Sequence, residues 1–384
     1  METTNKLNKP LAIVLAVLAV IGIGCWIFQL MGGLAVTGMG NVNSWGAYIC
    51  MFMLFVGLSA GGLIVASSAS VFNIPAFKKV AVPAIVLSTV CICAAAVFVL
   101  VDLGGIQRIW RIITGPNPGS VLFWDMCVIA IYLVVNIIYL RMYTRPEPDH
   151  AKIKIVSCIA LPVAILVHSV TAWIFGLQIG REWYSSIMAP LFVASALDSG
   201  LALLLLALYS LKKRGIFKTE DDLLTMLAGL LAVFVAVDAF MVGCELLTMA
   251  YPGGTSGEYL ALLATGPTAP FFWFEIICGL IVPFVMLCPR KNREKPMLVV
   301  VASALVVLGV LCKRIWLLFT AFIEPNIAAG PGVTVGNQNL VGDTAYAVMG
   351  SYAPTPVEIL IVIGVIALAA LAFEVIGSKV FKQD

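Results

Sequence analysis

Apolar stretches long enough to cross about 30 Å of hydrocarbon recur along the chain near 11–30, 45–72, 80–102, 121–140, 153–177, 187–211, 223–249, 268–288, 297–318 and 356–378. Polar residues gather between these stretches, so the pattern predicts ten membrane helices, because a helix satisfies its own backbone groups in lipid. The first stretch, within "METTNKLNKPLAIVLAVLAVIGIGCWIF", is about 20 residues long and lacks a small-residue cleavage site. It therefore reads as a membrane helix rather than a signal peptide.

The connections sort by basic charge. Lys6 and Lys9, Lys78 and Lys79, the Arg141–Lys154 group, "LKKRGIFK", "PRKNREK" and finally Lys379 and Lys382 fall on alternate connections. The opposite set holds only Arg108, Arg111 and Arg181. The positive-inside rule then places both termini in the cytoplasm, with the chain in the cell (inner) membrane of a prokaryote. The alternation persists through every loop, which supports the count of ten. Composition agrees: 61% of the 384 residues are hydrophobic and 11% charged, whereas soluble domains carry about 25% charge. Membrane lipid is thus the surrounding partner. The net charge of +3 is scattered over short loops and carries no nucleic-acid signal.

The charge-poor connections are not trivial. Residues 319–355 are Gly- and Asn-rich and nearly uncharged, and with 250–267 they read either as a docking surface or as a self-packed cap. A weak internal repeat is also present. Trp45 precedes Gly62 by the interval at which Trp183 precedes Gly200, and two helices after each comes "FWD" (Trp124, Asp125) or "FWFE" (Trp273, Glu275). The expected architecture is an all-α integral membrane protein of two related four-helix bundles, helices 2–5 (45–177) and 6–9 (187–318), with helices 1 and 10 peripheral. Gly57, Gly61 and Gly62 give helix 2 a smooth face for close packing.

A charge at mid-membrane costs about 2.5–3.5 kcal/mol even on insertion scales, so ionisable residues there face the bundle interior, pair or are neutral. Two groups follow from the predicted spans. Asp102, Asp125, His168 and Asp198 come from helices 3–6, with Arg108 and Arg111 on the adjoining loop as candidate ion-pair partners. Asp238, Glu245, Glu275, Lys313 and Arg314 come from helices 7–9 and read equally as a structural ion-pair network or as a proton path. Glu358 opens helix 10, where interfacial exposure accounts for it. His168 reads as a hydrogen-bonded packing residue or, beside acids, as a proton acceptor near physiological pH.

The ten cysteines lie almost entirely inside apolar runs, with no C-x-x-C or Cys/His cluster, so no iron–sulfur or zinc site is expected in this chain. The two histidines are His150, in a basic loop, and His168, which leaves no bis-histidine pair for a haem.

Four segments together resemble the polysulfide reductase membrane subunit family in its longer, ten-helix branch. They are "WGAYICMFMLFVGLSAGGL", "DLGGIQRIWRIITGPNPGSVLFWD", "HSVTAWIFGLQIGREWYSSIMAPLFVASALDSG" and "SYAPTPVEILIVIGVIAL". The resemblance implies a quinone- or quinol-reactive membrane subunit with no redox cofactor of its own; menaquinone is the expected substrate. It also implies a ferredoxin-like iron–sulfur partner docked on the outer face, with a molybdopterin or other catalytic subunit beyond it. His168, Asp125 and Asp102 match the family's quinone-site positions. Asp198 departs from the pattern and joins Asp238, Glu245 and Glu275 as a candidate proton path. A secondary transporter or a passive anchor are the competing classes.

Overall fold

The computed structural model describes residues 8–40, 43–323 and 352–381. The long connection read as a docking surface lies outside the described residues from 324 to 351. Among the described residues ten helices are long and apolar enough to span a membrane. They are α1 (Lys9–Gly32), α2 (Ala47–Val71), α3 (Ala81–Asp102), α4 (Val121–Tyr143) and α5 (His150–Gly176). After these come α6 (Met188–Lys213), α7 (Asp221–Ala250), α8 (Ala269–Leu287), α9 (Pro296–Ile323) and α10 (Pro356–Val380). No strand occurs among the described residues, and the protein is an all-α, multi-pass membrane protein.

Local chemistry sets several helix starts. Asp149 accepts from the Ala151 and Lys152 amides at the start of α5. Thr355 and Glu358 form a reciprocal capping box at the start of α10, with Pro356 in the first turn. Helix α8 is not uniform: Ala269–Phe274 is α-helical, Glu275–Ile281 is a π-helical segment, and Val282–Leu287 returns to α. Pro283 supplies the physical reason. It has no N–H for the Gly279 carbonyl four residues earlier, and the chain accommodates the loss with a wider turn.

Helices α2, α3, α4 and α5 pack in a ring, each against the next, and so do α6, α7, α8 and α9. The two rings meet where α2 packs on α6, with α9 also reaching α2, while α1 and α10 pair with each other and lean on α3. Burial follows this order: 89% of the apolar window of α2 is buried and only 11% of that of α1, so α2 is the centre and α1 the rim. Close approach needs glycine at several crossings. A Cβ on Gly61 would overlap the Gly200 backbone of α6, and one on Gly62 would overlap the Ala84 carbonyl of α3. Gly22 of α1 and Gly364 of α10 exclude each other's Cβ in the same way.

The two tryptophans of the repeat, Trp45 and Trp183, stack with centroids 6.1 Å apart where the bundles meet. This is the charge-poor end of the molecule. Trp124 and Trp273 are half-exposed there, each donating its indole N–H to a carbonyl of the preceding connection, Pro118 or Ala264. Such amphipathic rings suit the membrane–water interface. At the opposite, basic end Lys79 pairs with Glu220 at 2.5 Å, and Arg214 makes a bidentate pair with Glu374 of α10.

Replacing Gly61 with Leu puts a side chain where only backbone atoms could yield. Overpacking of a tight core costs about 1–3 kcal/mol, and here the flexible outlet is missing, so the solubilised Gly61→Leu chain should unfold at markedly lower temperature. Gly24→Ala, where the added carbon meets nothing within 4 Å, should leave the transition unchanged.

Candidate functional site

The first group of acids is split by the fold. Asp125 is buried about 6 Å inside the charge-poor end of α4, taking 1.5 Å of rise per residue. Its Oδ1 accepts the Thr171 hydroxyl of α5 at 2.6 Å. His168 lies nearly one turn deeper on α5 and is 2% exposed. Its Nδ1 is 2.6 Å from the Ala164 carbonyl and its Nε2 is 2.9 Å from the Val56 carbonyl of α2. A neutral imidazole donates from one nitrogen only, so it bonds one of these two carbonyls at a time, and neither nitrogen faces open space. The Val56 carbonyl also accepts the Ser59 hydroxyl at 2.7 Å.

Asp102 stands apart from this pair. It ends α3, half-buried, with one oxygen lacking a hydrogen-bond partner. Its charged neighbour is Glu358, and this corrects the expectation that Glu358 is exposed at the interface. Glu358 is fully buried, accepting the Gly38 and Thr355 amides at 2.8 Å each and the Tyr352 hydroxyl at 2.6 Å. The Tyr352 hydroxyl in turn accepts the Ala47 amide at the start of α2. Below it the Tyr48 hydroxyl donates to Gln29, whose amide donates to the Val101 carbonyl. Helices α1 and α10 therefore close the charge-poor end of the first bundle through a polar knot that the hydropathy pattern does not reveal. Arg108 and Arg111 were expected to form ion pairs. Both are exposed, and neither forms a salt bridge among the described residues.

The second bundle carries a charged centre to which each of its four helices contributes. Lys313 of α9 reaches Glu275 of α8 at 3.3 Å and Asp238 of α7 at 3.6 Å, with all three side chains essentially sealed from solvent. Glu245, seven residues beyond Asp238 on the same face of α7, also lies within electrostatic reach of Lys313. Glu275 opens the π-helical segment and accepts the indole N–H of Trp316. The wider turn sets this carboxylate between α7 and α9, where Gly279 and Gly309 meet backbone to backbone.

Asp198 belongs here and not with His168. It is fully buried on α6, its nearest charges are Asp238, Lys313 and Arg314, and neither carboxylate oxygen has a hydrogen-bond partner. The reason is rotational: Gly200, two residues on and about 200° round α6, packs against α2, which turns Asp198 towards the α7–α9 side. Arg314 makes no ion pair within 4 Å among the described residues. Its guanidinium lies 3.8 Å over the Phe192 ring and donates to Ser195 at 2.6 Å. It is also near enough to His168 to act on its charge, so a cation does reach the first group. Four carboxylates thus face two cations in a sealed centre. Full ionisation leaves two of those negative charges without a matching cation in low dielectric.

Among the described residues no group of three His, Cys, Asp or Glu side chains converges as a metal-ligand set. The sequence profile described as "Polysulphide reductase, NrfD" matches residues 35–326, three-quarters of the chain. The chain belongs to the NrfD polysulphide reductase family. Relatives agree over nearly full length. A putative dimethyl sulfoxide reductase membrane subunit of Halobacterium salinarum is 36% identical over 93% of this chain and 88% of its own. A selenate reductase subunit of Mesobacillus selenatarsenatis is 28% identical over 96% and 93%. The Hdr-like menaquinol oxidoreductase integral membrane subunit of Archaeoglobus fulgidus is 28% identical over 96% and 92%. This NrfD-family chain is accordingly a membrane subunit of a respiratory oxidoreductase.

Thr171, Ser195 and Trp316 escaped the sequence reading although each holds a charged group, and the burial of Glu358 escaped it too. For Glu358 the signal was local: Thr355 three residues before a Glu, with Pro between, is a capping box.

Lys313→Met should strand Asp238 and Glu275. Removing one partner of a buried pair costs about 3–5 kcal/mol, so the variant should unfold far below wild type in detergent. Adding Asp238→Asn and Glu275→Gln should recover most of the loss.

Proposed function

We propose that this chain is the quinone- or quinol-reactive subunit of its complex, exchanging electrons between the membrane quinone pool and an iron–sulfur subunit docked on the charge-poor face. That face would be the outer one, with both termini cytoplasmic. The carrying observation is the buried Asp125–Thr171 pair, with His168 behind it, in the charge-poor half of the first bundle. A carboxylate held by one hydroxyl, close to a membrane face, is a proton acceptor placed where a headgroup could arrive from lipid and electrons could leave to a docked protein. Menaquinone as the substrate is supported by the Archaeoglobus relative's description.

In this reading quinone is a substrate that enters sideways between helices. Asp125 takes a proton from the quinol oxygen as electrons leave to the partner's nearest cluster. Thr171 fixes the carboxylate, and His168 serves as the next proton station rather than as the headgroup's own ligand, since both ring nitrogens already face carbonyls. Asp102 marks the edge of the same region beside Glu358. Asp198, Asp238, Glu245 and Glu275 would serve as a proton path in the second bundle, with Arg314 between them and His168. A molybdopterin or other catalytic subunit would take the electrons onward, and reduction of quinone uses the same stations in reverse.

Proton transfer by a positioned side chain is worth about 10²–10⁴ in rate. In the purified complex, Asp125→Asn and His168→Ala should each lower quinol-dependent electron transfer by at least 100-fold while the partner subunits still co-purify. Full activity in both variants would contradict the assignment and favour a passive anchor.

A further inference from the structure

We propose that the cleft between α7 and α8 at the basic end of the molecule binds an anionic phospholipid, with one acyl chain in the cleft and the phosphate on Arg293. The site is independent of the quinol chemistry and lies in the other bundle.

The cleft encloses about 440 Å³, within the roughly 300–1,000 Å³ of ordinary ligand sites. Its floor is a run of small residues on one face of α7, Gly229, Ala232 and Ala236, at i, i+3 and i+7. The rims are bulkier. Val233, Val237 and Phe240 stand along α7 and Phe284 along α8, each between 38% and 66% exposed. From Gly229 to Phe240 the cleft runs about 16 Å at 1.5 Å per residue. It therefore reaches from the end of α8 to about the middle of a hydrocarbon layer roughly 30 Å thick. A slot this apolar offers water almost no partners and is filled by hydrocarbon. Its tall rims admit a single acyl chain, and they hold another helix away from the small floor residues that close helix pairing would need.

The basic end of the slot is closed by Arg293, in the connection 289–295 between α8 and α9. Its Nε donates to the Leu287 carbonyl and its Nη2 to the Cys288 carbonyl, both at 2.6 Å, which pins the guanidinium over the last turn of α8. Nη1 lies 2.6 Å from where a Cβ on Gly229 would sit, so the glycine makes room for it, and it has no hydrogen-bond partner among the described residues. No carboxylate answers this charge. The connection carries four basic residues and one acid, Glu294, which is 3.8 Å from Arg290. Lys291, Arg293 and Lys295 form no salt bridge among the described residues. A lipid phosphodiester supplies what is missing, a negative charge with acceptor oxygens that suit a fixed guanidinium. Basic pockets between membrane helices recognise anionic headgroups in this way. A choline headgroup would instead set its own cation against Lys291 and Lys295.

Photolabelling tests the site. The purified complex is stripped of lipid in detergent and given phosphatidylglycerol or phosphatidylcholine carrying a diazirine in one acyl chain, and labelled peptides are mapped by mass spectrometry. In wild type, peptides holding residues 233–240 and Phe284 should be labelled at least fivefold more by phosphatidylglycerol, about the factor one basic side chain near a headgroup provides. Arg293→Gln should lose most of that preference. Arg293 also holds the end of α8, so a second variant leaves it in place: Ala236→Phe fills the floor and should cut labelling of the cleft by phosphatidylglycerol at least fivefold, with labelling of α1 unchanged. Equal labelling by the two lipids in wild type, or an undiminished preference in Arg293→Gln, would overturn the site and leave only the lipid that coats any membrane protein. Cleft peptides that stay unlabelled in the wild-type complex would also overturn it, and would assign the cleft to a helix of a partner subunit.

Discussion

Lys313 is the constraint on which the second bundle depends. A lone ammonium in hydrocarbon is untenable, and the chain answers with Asp238, Glu275, Glu245 and Asp198 from three other helices. Each of those carboxylates is equally untenable without Lys313 and Arg314. The mutual requirement fixes the rotation of α6, α7, α8 and α9 about their own axes, which apolar packing alone would leave loose in lipid. It also explains the interruption of α8, because the wider turn at Glu275–Ile281 is what delivers that carboxylate to the centre.

The first bundle solves the same problem with neutral groups. Tyrosine and serine hydroxyls bond backbone carbonyls across its diagonal, and Asp125 with His168 supplies its ionisable groups near the charge-poor end. The two bundles correspond in outline, with Trp45 stacked on Trp183, Gly61 against Gly200, and Asp125 and Glu275 following the paired "FW" motifs. They differ in chemistry where His168 on α5 stands against Lys313 and Arg314 on α9. The second bundle thus holds cations where the first holds an imidazole. Arg314, lying between them over Phe192, couples the two.

Much of this was legible in the sequence because lipid is a strict solvent. Uninterrupted apolar length gave the ten spans, and alternating basic loops sorted the connections into a basic and a charge-poor end. The small residues Gly61 and Gly62 announced close crossings. What escaped was rotational and long-range. Asp198 seemed to belong with His168, since the chain runs directly from one to the other, yet Gly200, about 200° round the helix from it, points to α2 and so leaves Asp198 on the far side. Arg108 and Arg111 seemed natural partners for nearby acids, but a short surface connection leaves them in solvent. Glu358 looked interfacial because it opens a helix; its burial comes from residues some 320 positions away, Gly38 among them.

The most direct measurement of the central claim is anaerobic reduction of the docked partner's iron–sulfur clusters by menaquinol, followed by electron paramagnetic resonance. The assembled complex should show cluster signals within its turnover time. Cluster reduction by menaquinol at the same rate in a complex stripped of this chain would contradict the account.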